Sequence, residues 1–221
     1  VFDGESRTEP GHPMTDPNRA SEGELIERIR AGDEEAFIQL YRRQQGAIYR
    51  FALQMSGSPS LAEDVTQDVF LALMRDVRTF DATRGSLASY LYGIARNLVA
   101  DHLRRGRMDS PLAPDDIAAG SAQLLANPAN DPLAEMTRRE AVERLRQAVL
   151  ALPEHYREAV VLCELHEMDY ERAAKVLGCA VGTVRSRLHR ARELLAKKLR
   201  GKDKDAAGEA VKALKAVRCA T

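Results

Sequence analysis

The chain contains no tryptophan, and only five Phe and six Tyr among its 221 residues. Strands favour aromatic and β-branched side chains, so this scarcity argues against a β-sandwich and for a helix-rich protein. Cysteine is sparse as well: Cys163, Cys179 and Cys219 lie far apart and form no CxxC pair. That pattern excludes a disulfide framework and fits a reducing compartment. Long apolar runs are missing; stretches such as Ala159 to Cys163 are far too short to cross a bilayer. The opening VFDGESRTEPGHP has no basic segment followed by an apolar one, so no secretory signal is expected and the expected location is cytoplasmic. A net charge of either sign is absent, with 33 basic residues against 33 acidic. Neutrality does not exclude a polyanionic partner, which responds to where charge lies rather than to its sum. A GxxxxGK[ST] loop is also lacking, and nucleotide hydrolysis is not expected.

What is present is helical periodicity in two blocks. Residues 1–20 are rich in Pro, Gly and Asp and read as disordered, with Met14 a candidate translation start. From Ser21, apolar residues recur at spacings of three and four through Leu25, Ile26 and Ile29, then Phe37, Leu40, Tyr41, Ile48, Phe51 and Met55. Gly32-Asp33 separates the first helix from the second, and Ser56-Gly-Ser-Pro59 ends the second. Ser60 is the expected cap of a third helix, LAEDVTQDVFLALMRDV, whose stripe is Leu61, Val65, Val69 and Leu73. A loop, RTFDATRGS, leads to a fourth helix, LASYLYGIARNLVADHLRRGR. Residues 108–135 hold four prolines and several Asp with little periodicity, so they read as an acidic linker. Helices resume at about Met136: one to Pro153, EHYREAVVLCELHE as the next, and then DYERAAKVLG and GTVRSRLHRARELLAKKL. The expected fold class is all-α. Two small helical domains, 21–107 and 136–200, are joined by a flexible acidic linker, and 201–221 forms a tail of weakly amphipathic character.

The stretch YERAAKVLGCAVGTVRSRLHRAR has helix-turn-helix spacing. Ala174 lets two helices approach, Gly178 takes the tight turn, and Val184 anchors the second helix. Val184, Leu188, Ala191, Leu195 and Leu199 fall on one stripe, which leaves Arg185, Ser186, His189, Arg190 and Arg192 on other faces. Eight Lys and Arg lie between Arg185 and Lys202, against the single Glu193. That is the charge footprint of a nucleic-acid-binding helix, whose first turns reach base edges in the major groove. A solvated charged face is the plainer reading of such a helix, and the Ala–Gly–Val spacing is what argues against it.

The segment LPEHYREAVVLCELHEMDYERAAKVLGCAVGTVRSRLHRARELL resembles region four of the bacterial extracytoplasmic-function sigma factors. DEEAFIQLYRRQQGAIYRFAL, AEDVTQDVFLALMR and LASYLYGIARNLVADHLRR resemble successive parts of region two. The resemblance implies a sigma factor without catalytic residues or cofactors. It would direct core RNA polymerase to a bipartite promoter, with its clamp helices and flap as contacts, and would be restrained by an anti-sigma factor. By motif, Thr183, Arg185, Ser186, Arg187, His189, Arg190 and Arg192 would read the minus-thirty-five element. Phe80, Arg84, Ser86, Tyr90, Asn97, Arg104 and Arg105 would serve the minus-ten element, with Asn97 capturing an extruded base. Asp64, Gln67, Asp68 and Phe70 would face polymerase. Tyr90 stands where the family usually carries Trp, and Arg172-Ala173-Ala174 where it carries Glu-Ile-Ala. The acidic linker would thread toward the polymerase cleft.

Two other classes share some of these features. An autonomous helix-turn-helix regulator leaves AEDVTQDVF and IARN unexplained. A metal or redox sensor would draw on His155, Cys163, His166 and Cys179, among which Cys163-x-x-His166 is a suggestive pair, although Cys163 lies in an apolar run where a buried thiol is usual.

Overall fold

The computed structural model describes residues 20–109 and 132–200, with side chains described for 20–105 and 139–199. Among the described residues the regular elements are all helices, joined by short turns and one loop. The first half comprises α1 (Glu22–Arg30), α2 (Glu34–Ser56), α3 (Pro59–Asp76) and α4 (Leu87–Asp109). The second comprises α5 (Pro132–Leu150), α6 (Glu154–Val160), α7 (Tyr170–Leu177) and α8 (Val181–Arg200), with a π-helical turn, Val161–Leu165, following α6. None of the described helices is long and apolar enough to cross a membrane. Segment 1–19, the body of the linker and the tail with Cys219 lie outside the described residues.

Local chemistry sets the helix ends. The Ser21 hydroxyl accepts from the Glu24 amide while the Glu24 carboxylate accepts from the Ser21 amide, which satisfies two orphan donors at the start of α1. Asp33 caps α2 through the Ala36 amide, and α2 closes on Gly57, at φ 75°. The cap of α3 is Ser58 rather than the expected Ser60. The Ser58 hydroxyl accepts from the Leu61 amide at 3.3 Å, and Pro59 takes the first helical position, where its missing N–H costs nothing.

Each helix buries one stripe. Leu25, Leu40, Ile48, Phe51, Val65, Leu73 and Leu91 are fully buried in the first half, and Leu145, Leu162, Leu188 and Leu195 nearly so in the second. Each such side chain contributes roughly 1.5–3 kcal/mol. Two helix ends differ slightly from expectation: α4 runs to Asp109, and α5 begins at Pro132, ahead of residue 136.

EHYREAVVLCELHE is not one regular helix. After Val160 the turn widens, and the His166 amide donates to the Val161 carbonyl five residues back. In an unbroken α-helix, positions 158 and 166 would lie about 80° apart around the axis. One wide turn removes about one residue's 100° and puts Glu158 and His166 on nearly the same face. That face packs on the first half. The Arg96 guanidinium meets the Glu158 carboxylate at 2.5 Å, with the carboxylate side chain 4% exposed. The Arg157 guanidinium donates to the Met55 carbonyl. His166 Nε2 lies 2.9 Å from Gln54 Oε1, and its Nδ1 lies 2.7 Å from the Tyr92 hydroxyl. The amide oxygen can only accept, so the Nε2–H donates to it and Nδ1 accepts from Tyr92. Phe51 sits edge-on to both the Tyr92 and His166 rings.

Two outcomes follow from these contacts. Ser58→Ala should lower stability by about 1 kcal/mol, while Ser60→Ala should stay within about 0.5 kcal/mol, as read by urea unfolding. Burial lowers the His166 pKa to about 4, and the Arg50 charge adds to the effect. The unfolded chain, with an ordinary imidazole near 6.5, therefore binds more protons between pH 6.5 and 4. Stability should fall over that window by up to about 3 kcal/mol. The carboxyls of Glu24, Asp33, Asp81 and Glu193 are held below their ordinary values by hydrogen bonds, so their contribution is lost only as the pH falls through and below the ordinary carboxylate range. Urea unfolding of His166→Gln should show a markedly flatter profile between pH 6.5 and 5.

Candidate nucleic-acid and polymerase interfaces

The helix-turn-helix is built as its spacing predicts. Asp169 caps α7 through the Arg172 amide at 2.8 Å. Gly178 closes α7 at φ 61°, a conformation that a side chain would strain. The Ala180 carbonyl then accepts from the Thr183 and Val184 amides to start α8. Val184, Leu188, Ala191 and Leu195 are buried against the domain core. Arg185, Ser186, His189, Arg190 and Arg192 are exposed, with Thr183 and Arg187 half-buried.

The exposed side chains are not equivalent. The Arg185 guanidinium lies over the Tyr170 ring, 5.9 Å from its centroid. Arg190 pairs with Glu193 at 2.7 Å, and His189 lies 3.3 Å from the same carboxylate. Arg192 pairs with Glu164, and that hydrogen bond raises its pKa. Ser186 returns its hydroxyl to the Thr183 carbonyl. The first turn of α8 thus presents Arg185, while the later arginines are partly neutralised by local carboxylates.

Of the candidate minus-ten residues, Phe80, Arg84, Ser86, Tyr90 and Asn97 line a cleft of about 510 Å³ together with Ser89, while Arg104 and Arg105 do not line it. The loop from Val77 to Ser86 is held by specific bonds. Arg30 donates to the carbonyls of Val77 and Phe80. Asp81 accepts from both the amide and the hydroxyl of Thr83, and these bonds lower its carboxyl pKa. Ser86 accepts from the Ser89 amide at 3.2 Å, which starts α4. Tyr90 leans on Phe80 with ring centroids 5.3 Å apart. Phe80 is buried beneath it, so the Phe80 ring is a floor for the cleft rather than a surface contact. Asn97 and Arg84 are exposed. Arg104 is exposed and paired with Asp101, and Arg105 is exposed. Lys175, Val176 and Gly178 of the second half also line this cleft.

On α3 the acidic outer face contains Asp64, Gln67 and Asp68, all exposed. Phe70 does not join them. It is 3% exposed and packs edge-on to Tyr41 and Phe37, at 4.7 and 6.4 Å between centroids. Its place on the surface is taken by Leu71 and Met74, 62% and 55% exposed. These two were legible as apolar residues off the Leu61–Val65–Val69–Leu73 stripe, four and three residues beyond Gln67 and Leu71 respectively.

Cys163 and His166 do not form a ligand pair. Both ring nitrogens of His166 are engaged by Tyr92 and Gln54. The Cys163 thiol is pushed up to about 11 by burial and by the neighbouring Glu164 charge. No cluster of three or more His, Cys, Asp or Glu suited to a metal occurs among the described residues.

Comparison with known proteins agrees with this geometry. Residues 40–108 match the family model of sigma-70 region 2, and residues 142–195 match that of sigma-70 region 4. The extracytoplasmic-function sigma factor SigW of Bacillus subtilis is 30% identical over 179 residues, covering 79% of this chain and 95% of that protein. The RNA polymerase sigma-H factor of Pseudomonas aeruginosa is 35% identical over 181 residues, covering 80% and 92%. Among solved structures, the sigma factor RpoE bound to the anti-sigma factor NepR from Bartonella quintana superposes with a TM-score of 0.59 at 27% identity, covering 75% of this chain and 98% of that one. CnrH bound to the cytosolic domain of CnrY gives the same TM-score at 25% identity, covering 81% and 97%. Two matched regions in order, on a helical scaffold shared with solved sigma factors, place this chain in the extracytoplasmic-function group of sigma-70 factors, the transcription initiation factors that direct RNA polymerase to promoters.

Proposed function

We propose that the two halves divide the work of promoter recognition. Residues 21–107 bind core polymerase and the minus-ten element, and residues 136–200 bind the minus-thirty-five element. The observation that carries this is the exposure of Asn97 beside Tyr90, Ser86 and Arg84 at one cleft. An amide can read the Watson–Crick edge of an extruded base, an aromatic ring can stack on it, and guanidinium groups hold the backbone. Tyr90 supplies the ring that Trp supplies elsewhere in the family. Arg104 and Arg105, further along α4, attract the adjoining phosphates.

The first turn of α8 enters the major groove. Arg185 is the principal base reader, with Thr183, Ser186 and Arg187 beside it. His189, Arg190 and Arg192 contribute to phosphate attraction after exchanging their local carboxylates for DNA. Core polymerase is met by α3 through Asp64, Gln67 and Asp68, with Leu71 and Met74 providing the apolar centre that such interfaces favour. The protein acts in the cytoplasm and performs no covalent step of its own. An anti-sigma partner, of the kind bound to the solved relatives, restrains it.

Run-off transcription with core polymerase on a promoter library tests the whole reading. Asn97→Ala should reduce open-complex formation by about tenfold or more while leaving polymerase binding intact. Arg185→Ala should cost about 1–3 kcal/mol at one base position of the minus-thirty-five element and relax its specificity there. The pair Leu71→Ser and Met74→Ser should weaken binding to core polymerase by about tenfold, with thermal stability nearly unchanged because both side chains are exposed.

A further inference from the structure

Arg185 is held differently from the later arginines of α8. The guanidinium groups of Arg190 and Arg192 commit N–H donors to Glu193 and Glu164, whereas that of Arg185 lies over a ring, 5.9 Å from the Tyr170 centroid. A cation above an aromatic face is attracted by the ring's quadrupole, and this attraction engages no N–H group. The flat fork is steadied while its in-plane donors remain available to the paired acceptors of a base edge.

Tyr170 is itself well placed. It opens α7 directly after Asp169, whose carboxylate caps that helix through the Arg172 amide. Ala173, Ala174 and Leu177 anchor α7 in the core, while Tyr170 is 36% exposed. Its hydroxyl reaches Arg192, whose pKa is raised first by the hydrogen bond to Glu164 and further by one to Tyr170. Positions 185 and 192 are nearly two full turns apart, so both project from one face of α8, about 10 Å apart along its axis. The tyrosine crosses that face, with its ring at one arginine and its hydroxyl at the next. A guanidinium has five donors, so Arg192 can keep this hydroxyl while it meets a phosphate.

Building on the reading of Arg185 as the base reader of α8, we propose that Tyr170 is a specificity-determining positioning residue whose ring fixes the plane of the Arg185 guanidinium. A long side chain loses rotamer freedom when it binds. A base edge accepts the fork in one plane only, whereas a phosphate attracts positive charge from many directions. Fixing the plane beforehand therefore favours the base contact over contacts to neighbouring phosphates. Tyr170 acts on discrimination through Arg185 and reads no base itself.

A tyrosine beside an arginine also covers the methylene stem, and that plain packing role gives a different result. Full-length chains carrying Tyr170→Leu, Tyr170→Phe, Arg185→Ala, or Tyr170→Leu with Arg185→Ala are assembled with core polymerase. Binding is measured on promoters with each of the four base pairs at every minus-thirty-five position. Tyr170→Leu keeps apolar cover without a π face. It should lower discrimination by about two- to fivefold at the position that Arg185→Ala relaxes, with the salt dependence of binding and the thermal midpoint nearly unchanged. Tyr170→Phe keeps the ring and should keep most of the discrimination. Once Arg185 is Ala, the Leu substitution should add nothing, because the ring has no guanidinium to hold.

Wild-type discrimination by Tyr170→Leu would overturn the proposal. So would a uniform loss on all promoters that adds to the loss from Arg185→Ala, which marks a phosphate or folding contact. Equal losses in the Phe and Leu variants would assign the effect to the hydroxyl and overturn the role of the ring. Arg185→Ala separates this proposal from the reading beneath it. Unaltered discrimination at every position rejects Arg185 as a base reader, while relaxed discrimination beside a silent Tyr170→Leu rejects only the positioning role.

Discussion

A neutral imidazole with both nitrogens committed organises the arrangement of this protein. His166 donates to Gln54 on α2 and accepts from Tyr92 on α4, with Phe51 edge-on to its ring. A protonated ring would carry two donors, and the Tyr92 hydroxyl, held in its protonated form by burial that pushes its pKa up to about 12, would offer only another. The buried site therefore tolerates one protonation state. The π-helical turn ahead of His166 makes this possible by bringing Glu158 and His166 to one face. A widened turn in the middle of a helix is where geometry has been bent to meet a partner, and here the partner is the other half of the same chain.

Charge is sorted around that seam. Every helix commits one stripe to the core, and what remains is free to carry polar chemistry. On α3 the remainder is acidic with an apolar patch, on α8 it is basic, and on α4 it is an amide and an aromatic ring beside a serine-capped loop. The zero net charge of the full chain therefore conceals strong local fields of opposite sign. The local carboxylates Glu164 and Glu193 moderate α8, so that its free arginine character is concentrated at the first turn, where we propose that bases are read.

Much of this was legible in the residues. The Val184–Leu188–Ala191–Leu195 stripe, the tight turn at Gly178 and the break between α1 and α2 at Gly32-Asp33 each depend on spacing or on one residue's chemistry, and each stands as the pattern implies. Local pattern is ambiguous where two neighbours are equally plausible. Ser58 and Ser60 are equally good caps by type, and Pro59 at the first helical position decides between them. Phe70 and Leu71 are both apolar, and only the presence of Phe37 and Tyr41 behind one of them determines which is buried.

By itself the sequence determined the helices, their buried stripes, the two-part division and the residue types that suit DNA and polymerase, because all of these are set by periodicity and by chemistry within a few residues. The tertiary structure alone decided the seam. Arg96 and Glu158 are 62 positions apart, Tyr92 and His166 are 74, and Gln54 and His166 are 112. No local pattern specifies such pairings, which arise only when packed helices bring complementary groups within hydrogen-bond reach. The same packing decided that the cleft expected to receive a flipped base is walled on one side by residues of the helix-turn-helix.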